Sequence, residues 1–188
     1  MTMSDAPLHT DPPPQWVVID TETTGLSNDD RIVEIAALAI DPETMETVGE
    51  FVTLLHPDRD TGASAVHGIS DAMVQDSPRF AEIAETFAQF LKGRVLVAHN
   101  LNFDAGFLER EFTRAGVELD LGRGFCTWSQ GTHTSLAKAC ERHGITLDGA
   151  HRAEADARAT WKLLIALTER LTAEVEPVRT RASQASLF

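Results

Sequence analysis

Three β-type runs lie in the first third of the chain, a strand leads straight into a helical segment near its middle, and two amphipathic stripes fill its last third. Together these predict an α/β fold: an antiparallel three-strand meander extended by parallel strands into one mixed sheet, with helices packed on it.

Folding is expected to begin near Gln15, because residues 1–14 combine small and polar side chains with the run Pro12-Pro13-Pro14, a composition that favours an extended, solvated tail. Residues 16–19 are apolar and largely β-branched, bounded by that proline run and by Thr23-Thr24-Gly25, which suits a buried strand. Residues 31–40 and 47–55 read as two further strands, with Asp41-Pro42-Glu43-Thr44 as the turn between them. A polar loop is expected over 57–68, a short helix from Ser70, and a second helix initiated by Ser77-Pro78. The second buries Phe80, Ile83, Ala84, Phe87, Phe90 and Leu91 on one face. Residues 94–98 form a strand-like run, and a helix from about Asp104 to Arg114 ends at Gly116, so this pair reads as a parallel crossover. Leu136, Ala139, Cys140 and His143 mark another helix that stops at Gly144. The last long helix is expected over about 153–172, with Ala157, Trp161, Leu164, Leu167, Thr168 and Leu171 inward. The predicted organisation is thus a tail over 1–14, one domain over 15–173, and a polar tail over 174–188.

A chain of 188 residues, 43% hydrophobic and 24% charged, has the composition of a single globular domain that buries roughly two-thirds of its unfolded surface. No apolar stretch approaches the length of a membrane span, and no basic n-region with an apolar h-region opens the chain, so a cytoplasmic location is expected. Cys126 and Cys140 are in no C-x-x-C pair, and are expected to be reduced, buried and structural. The formal charge of −13, from 16 Lys plus Arg against 29 Asp plus Glu, argues against a protein that grips long duplex by neutralising phosphates. It is compatible with capture of a strand end, where few phosphates are touched and bound cations offset the local carboxylates.

The chemistry concentrates in three segments: Asp20-Thr21-Glu22-Thr23-Thr24-Gly25-Leu26, His99-Asn100-Leu101-Asn102-Phe103-Asp104, and His151-Arg152-Ala153-Glu154-Ala155-Asp156. Residues two apart on a strand share a face, so Asp20 and Glu22 present both carboxylates to one point, where a cation can be shared. Hard oxygen donors without thiolate select Mg²⁺ or Mn²⁺, which fill their remaining positions with water and phosphate oxygens, and so point to a phosphate ester. Asp104 follows a strand and opens a helix, where it suits either a metal or the positive helix end. His151 and Asp156 are five apart, which would place them about 140° apart on one helix. They line one cleft only if His151 sits in the approach Asp148-Gly149-Ala150 and the helix begins near Ala153. There an imidazole with an ordinary pKa near 6.5 can take a proton from water at neutral pH.

These three motifs resemble those of the DnaQ-like, DEDDh-type 3′-to-5′ exonucleases, the family that includes the proofreading subunit of bacterial replicative DNA polymerase. Asp30-Arg31-Ile32-Val33-Glu34-Ile35 and Val66-His67-Gly68-Ile69 match as well, and the likeness covers about residues 16–171. The resemblance implies an RNase H-like fold, two Mg²⁺ or Mn²⁺ ions held by Asp20, Glu22, Asp104 and Asp156, and His151 as general base. It implies hydrolysis of the terminal phosphodiester at the 3′ end of single-stranded or frayed DNA, with release of nucleoside 5′-monophosphates during proofreading or repair. Thr23, Thr24 and Leu26 are then expected to hold the terminal nucleotide, with His67, His99, Asn100 and Phe103 as further contacts. His67 suits a loop residue bonded to backbone equally well. Two alternatives stay open at this level: an RNA-processing exonuclease of the same family, and a non-catalytic adaptor bound to the replication clamp.

The final residues, Gln184-Ala185-Ser186-Leu187-Phe188, resemble the pentapeptide by which bacterial DNA-processing proteins bind the sliding clamp. Leu187 and Phe188 would fill an apolar pocket and Gln184 would make directional hydrogen bonds, a tether that raises effective concentration on DNA. Little chain follows the last predicted helix, so a stand-alone or clamp-recruited enzyme is as well supported as a polymerase-bound one.

Overall fold

The computed structural model describes residues 15–122 and 124–174; residues 1–14 and 175–188, including Gln184, Leu187 and Phe188, lie outside the described residues, and Glu174, expected to open the C-terminal tail, is the last residue of the final helix. Five strands form one sheet in the order β3-β2-β1-β4-β5: β1 Trp16–Thr23, β2 Ile32–Ile40, β3 Thr47–Leu54, β4 Val95–Ala98 and β5 Gly124–Cys126. The first three strands make the antiparallel meander, while β4 is parallel to β1 and β5 parallel to β4. The expected mixed α/β sheet is therefore present. No helix among the described residues is long and apolar enough to cross a membrane.

Period-two alternation sends the two sides of β1 and β2 into different cores. On one face Val17, Ile19, Ile35 and Ala37 pack against α3 (Phe80–Leu91) and α4 (Leu101–Ala115), where Phe80, Phe87, Phe107 and Phe112 fill the layer. On the other, Val18, Ala36, Leu38 and Ile40 meet Ala153, Ala157, Trp161 and Leu164 of α6 (Ala153–Glu174). Every residue of β2 is buried, because both layers cover it.

Several elements differ from expectation. β1 runs four residues past Ile19, so Asp20 and Glu22 lie within the strand. The loop over 57–68 contains a single helical turn, α1 (Ser64–His67), and α2 (Asp71–Val74) is equally short. Helix α4 starts at Leu101 with Asn100 as its N-cap residue, which places Asp104 inside the first turn. Leu101 sets that earlier start by packing against the core. Strand β5 and the wide turn Trp128–Thr132 that follows it carry no clear periodic signal. Helix α5 (Leu136–Arg142) lies where its stripe placed it. Cys140 is buried, but Cys126 is only half-buried.

The hairpin between β1 and β2 is held down by one buried carboxylate. Glu111 of α4, 1% exposed, accepts from Arg31 Nε at 2.6 Å and Nη2 at 2.9 Å, from Arg114 Nη1 at 3.3 Å and from the Ile32 amide at 3.3 Å. Arg114 in turn donates to the carbonyls of Asn28 and Asp30. Removing one side of such a pair strands the other charges in a low-dielectric setting, and the partial exposure of both arginines softens the penalty. Glu111→Ala is expected to lower unfolding free energy by roughly 2–4 kcal/mol in urea titrations; an unchanged midpoint would mean that the clamp contributes nothing to stability.

Candidate active site

Strand β1 outruns its parallel neighbour. Trp16, Val17 and Val18 pair with Val95, Leu96 and Val97 of β4, which ends at Ala98, so residues 20–23 project beyond the end of β4. Crevices beyond the C-terminal ends of parallel strands are where open α/β sheets bind ligands. Here Asp20 and Glu22 share the phase of Val18, on the α6 side. Asp156 arrives from the first turn of α6, and Asp104 from α4 on the opposite layer. The notch past β4 lets the two layers meet.

The four carboxylates sense one another. Asp20 is held well above the ordinary carboxylate range, first by burial and then by the negative charges of Asp104, Asp156, Glu22 and Glu34. Glu22 is pushed up to about 7 by burial and by Asp156, Glu34 and Asp104, with Arg152 pulling the other way. Asp104 also lies at about 7, raised by burial and partly restrained by hydrogen bonding, notably from the Thr21 hydroxyl to its Oδ1 at 2.8 Å. Asp156 is raised by burial, and the His151 amide, which donates to its Oδ2 at 3.1 Å, opposes that rise.

This donor set fits a divalent cation. Asp156 Oδ1 is buried without a hydrogen-bond partner, and one ligand atom each from Glu22, His151 and Asp156 lies within 4.8 Å of the others. All the carboxylates offer hard oxygen, and burial together with mutual repulsion at Asp20 and Glu22 leaves their charged forms short of a positive partner. His151 is exposed, in a left-handed conformation (φ 63°) two residues before α6, as the five-residue spacing to Asp156 required.

The residues expected to meet a nucleotide fall into two groups. Leu26 is 85% exposed and Asn100 is exposed, so both are free to touch a ligand. The others are engaged within the protein. Thr23 Oγ1 donates to the Gly25 carbonyl at 2.7 Å, and Thr24 Oγ1 to Asp30 Oδ1 at 2.8 Å, which shapes the loop that carries Leu26. His99 is 9% exposed, with Nδ1 2.9 Å from Thr127 Oγ1 and Nε2 2.8 Å from the Thr134 carbonyl, so it braces the segment after β5. His67 is buried and its Nδ1 accepts from the Ile69 amide at 3.0 Å, the backbone-bonded loop role; its Nε2 has no hydrogen-bond partner. Phe103 is partly buried against Phe107, with ring centroids 4.9 Å apart. Gly62 is required where its loop crosses Thr24: its φ is 66°, and a Cβ there would lie 2.1 Å from the Thr24 carbonyl oxygen.

Sequence reasoning assigned no role to three residues at this site: Thr21, Glu34 and Arg152. Glu34 carried a legible signal, since a lone carboxylate in the run Ile32-Val33-Glu34-Ile35-Ala36 must be buried and must find a partner.

An open sheet whose central strand outruns its neighbour, with acidic residues gathered at the notch, defines a class, and the chain belongs to it: residues 17–164 match the exonuclease family. The chain is 38% identical over 160 residues to the DNA polymerase III subunit epsilon of Treponema pallidum, covering 79% of this chain and 74% of that protein. It is 33% identical over 172 residues to the Escherichia coli subunit epsilon, covering 81% and 70%. Among solved structures, E. coli ExoI in its zinc-bound complex with single-stranded DNA shares the fold, with TM-score 0.76 and 18% identity over 85% of this chain and 41% of that one. Within the family this chain is a 3′-to-5′ exonuclease.

The raised carboxylate pKa values have a consequence for stability. Glu22 and Asp104 titrate near 7 when folded but near their ordinary values of 4.5 and 3.8 when unfolded. Each therefore binds more proton in the folded state, and stability falls as pH rises between about 4 and 7. In EDTA, Glu22→Gln and Asp104→Asn are each expected to stabilise the protein at pH 8, by on the order of 1–3 kcal/mol. The gain should shrink towards pH 4. Thermal melts at several pH values check this, and a gain independent of pH would contradict it.

Proposed function

We propose that this exonuclease removes nucleotides from the 3′ end of single-stranded or frayed DNA and releases nucleoside 5′-monophosphates, in replication proofreading or repair. One observation carries the reading: β1, α4 and α6 of an exonuclease-family chain bring Asp20, Glu22, Asp104 and Asp156 to one notch with His151 at its rim. The epsilon subunits that it resembles support the pathway, and also an association with a DNA polymerase.

Asp20, Glu22, Asp104 and Asp156 would hold two Mg²⁺ or Mn²⁺ ions. When bound, such ions neutralise the carboxylates and stabilise the charge that develops on the phosphodiester oxygens. His151 accepts the proton of the attacking water through its exposed imidazole, which no described residue hydrogen-bonds. The Thr21 hydroxyl fixes Asp104, and the His151 amide fixes Asp156, so two ligands are oriented before any ion arrives. Thr23, Thr24, Leu26, His67, His99, Asn100 and Phe103 form or support the terminal-nucleotide side. Leu26 and Asn100 supply the direct contacts, and Thr24 and His99 the framework. A net charge of −13 makes affinity for free DNA weak, and Gln184, Leu187 and Phe188 would offset this by tethering the enzyme to the sliding clamp.

Single-stranded DNA and RNA labelled at either end, incubated with Mg²⁺, Mn²⁺ or EDTA, test the reading. Metal-dependent release of mononucleotides from the 3′ end of DNA is expected, and Asp156→Ala should reduce it on the order of 10³-fold or more, a loss of several kcal/mol in transition-state stabilisation. Cleavage that persists in EDTA or in Asp156→Ala would overturn the site, and faster RNA cleavage would reassign the substrate. Deleting residues 184–188 should leave hydrolysis of free oligonucleotides unchanged and abolish retention on clamp-loaded DNA; undiminished retention would remove the tether.

A further inference from the structure

Glu34 is the residue in this molecule whose cost is hardest to account for. It is 3% exposed, in a strand otherwise wholly apolar, and the antiparallel register sets it directly opposite Glu22. Like charges facing each other across a strand pair destabilise it, and this carboxylate adds to the negative field at Asp20, Glu22 and Asp156. A glutamine or leucine would be cheaper unless the charge is used.

Its partners indicate the use. Arg152 Nη2 donates to Glu34 Oε1 at 2.6 Å, and Arg152 Nε lies 3.1 and 3.2 Å from the two carboxylate oxygens, a forked pair. The Ala153 amide, first in α6, donates to Glu34 Oε2 at 2.8 Å. The fork thus grips the two residues immediately after His151. His151 itself holds a left-handed backbone, uncommon for a residue other than glycine, and its ring is hydrogen-bonded to no described residue. Nothing attached to the imidazole fixes its place, so the backbone must.

We infer that Glu34 and Arg152 are positioning residues: their fork, buried on the Glu34 side, locks the backbone that carries His151, and so sets where its imidazole meets the attacking water. This rests on His151 acting as the base. The competing role for Arg152, whose side chain is 44% exposed, is a contact to a DNA phosphate.

Arg152→Lys keeps the charge but loses the fork, and Glu34→Gln keeps the shape but loses the charge, so both variants should fold. Each is expected to lower kcat on a single-stranded oligonucleotide on the order of 10–100-fold, with KM nearly unchanged, as for loss of correctly placed general-base catalysis. In a His151→Gln background the further loss should disappear, because groups that act as a unit are not additive. In the metal-free protein, hydrogen exchange at the His151 amide should accelerate on the order of tenfold in Arg152→Lys as the backbone loosens. A multiplicative loss on top of His151→Gln, or a rise in KM at constant kcat, would overturn the positioning role and favour phosphate contact. Full activity in His151→Gln alone would remove the base assignment itself, and the inference with it.

Discussion

Mutual repulsion among carboxylates is the constraint on which this molecule is organised. Asp20, Glu22, Asp104 and Asp156 are pressed together in surroundings that leave their protons hard to remove, and Glu34 adds a fifth negative group alongside. Such a cluster opens unless each member is carried by an element that cannot yield. The fold meets this by giving Asp20 and Glu22 to the central strand, paired along its whole length with β2. Asp104 and Asp156 come from helices packed on opposite faces of the sheet. The strain is then spread over two hydrophobic layers.

Short hydrogen bonds complete the restraint without neutralising the cluster. The Thr21 hydroxyl holds Asp104 and the His151 amide holds Asp156, whose Oδ1 keeps its acceptor capacity. Among the described residues no Lys or Arg forms an ion pair with the four clustered carboxylates, whereas Glu34 and Glu111, which brace loops beside the notch, are each paired with arginine. Basic side chains are thus kept off the candidate ligands and spent on the frame.

How much of this was legible in the sequence follows from the range of each signal. The Asp20–Glu22 pair could be read because strand periodicity is local, and the placement of His151 ahead of α6 because helical geometry forbids the alternative. The aromatic stripe of α3 was equally plain, since its spacing records one buried face. By contrast, β5 is three residues long and pairs only with β4, so its existence depends on a neighbour some 26 residues away in sequence, from Ala98 to Gly124. The early start of α4 escaped because Leu101, not Asp104, finds the core. The internal bonding of Thr24 and His99 was likewise hidden, since their partners Asp30, Thr127 and Thr134 are chosen by tertiary packing.

Glu34 also matters before there is a structure for it to brace. Residues 32–40 would otherwise form an unbroken, uncharged stretch of Ile, Val, Ala and Leu, rich in strand-forming side chains and free of Pro and Gly. Segments of that composition stack on copies of themselves when a chain is newly made or transiently open. The carboxylate that lies beside the notch in the folded enzyme is the only charge that interrupts this stretch in the unfolded chain. Solubility of the open chain and geometry at the notch therefore depend on the same residue, and an apolar replacement at position 34 would disturb both at once.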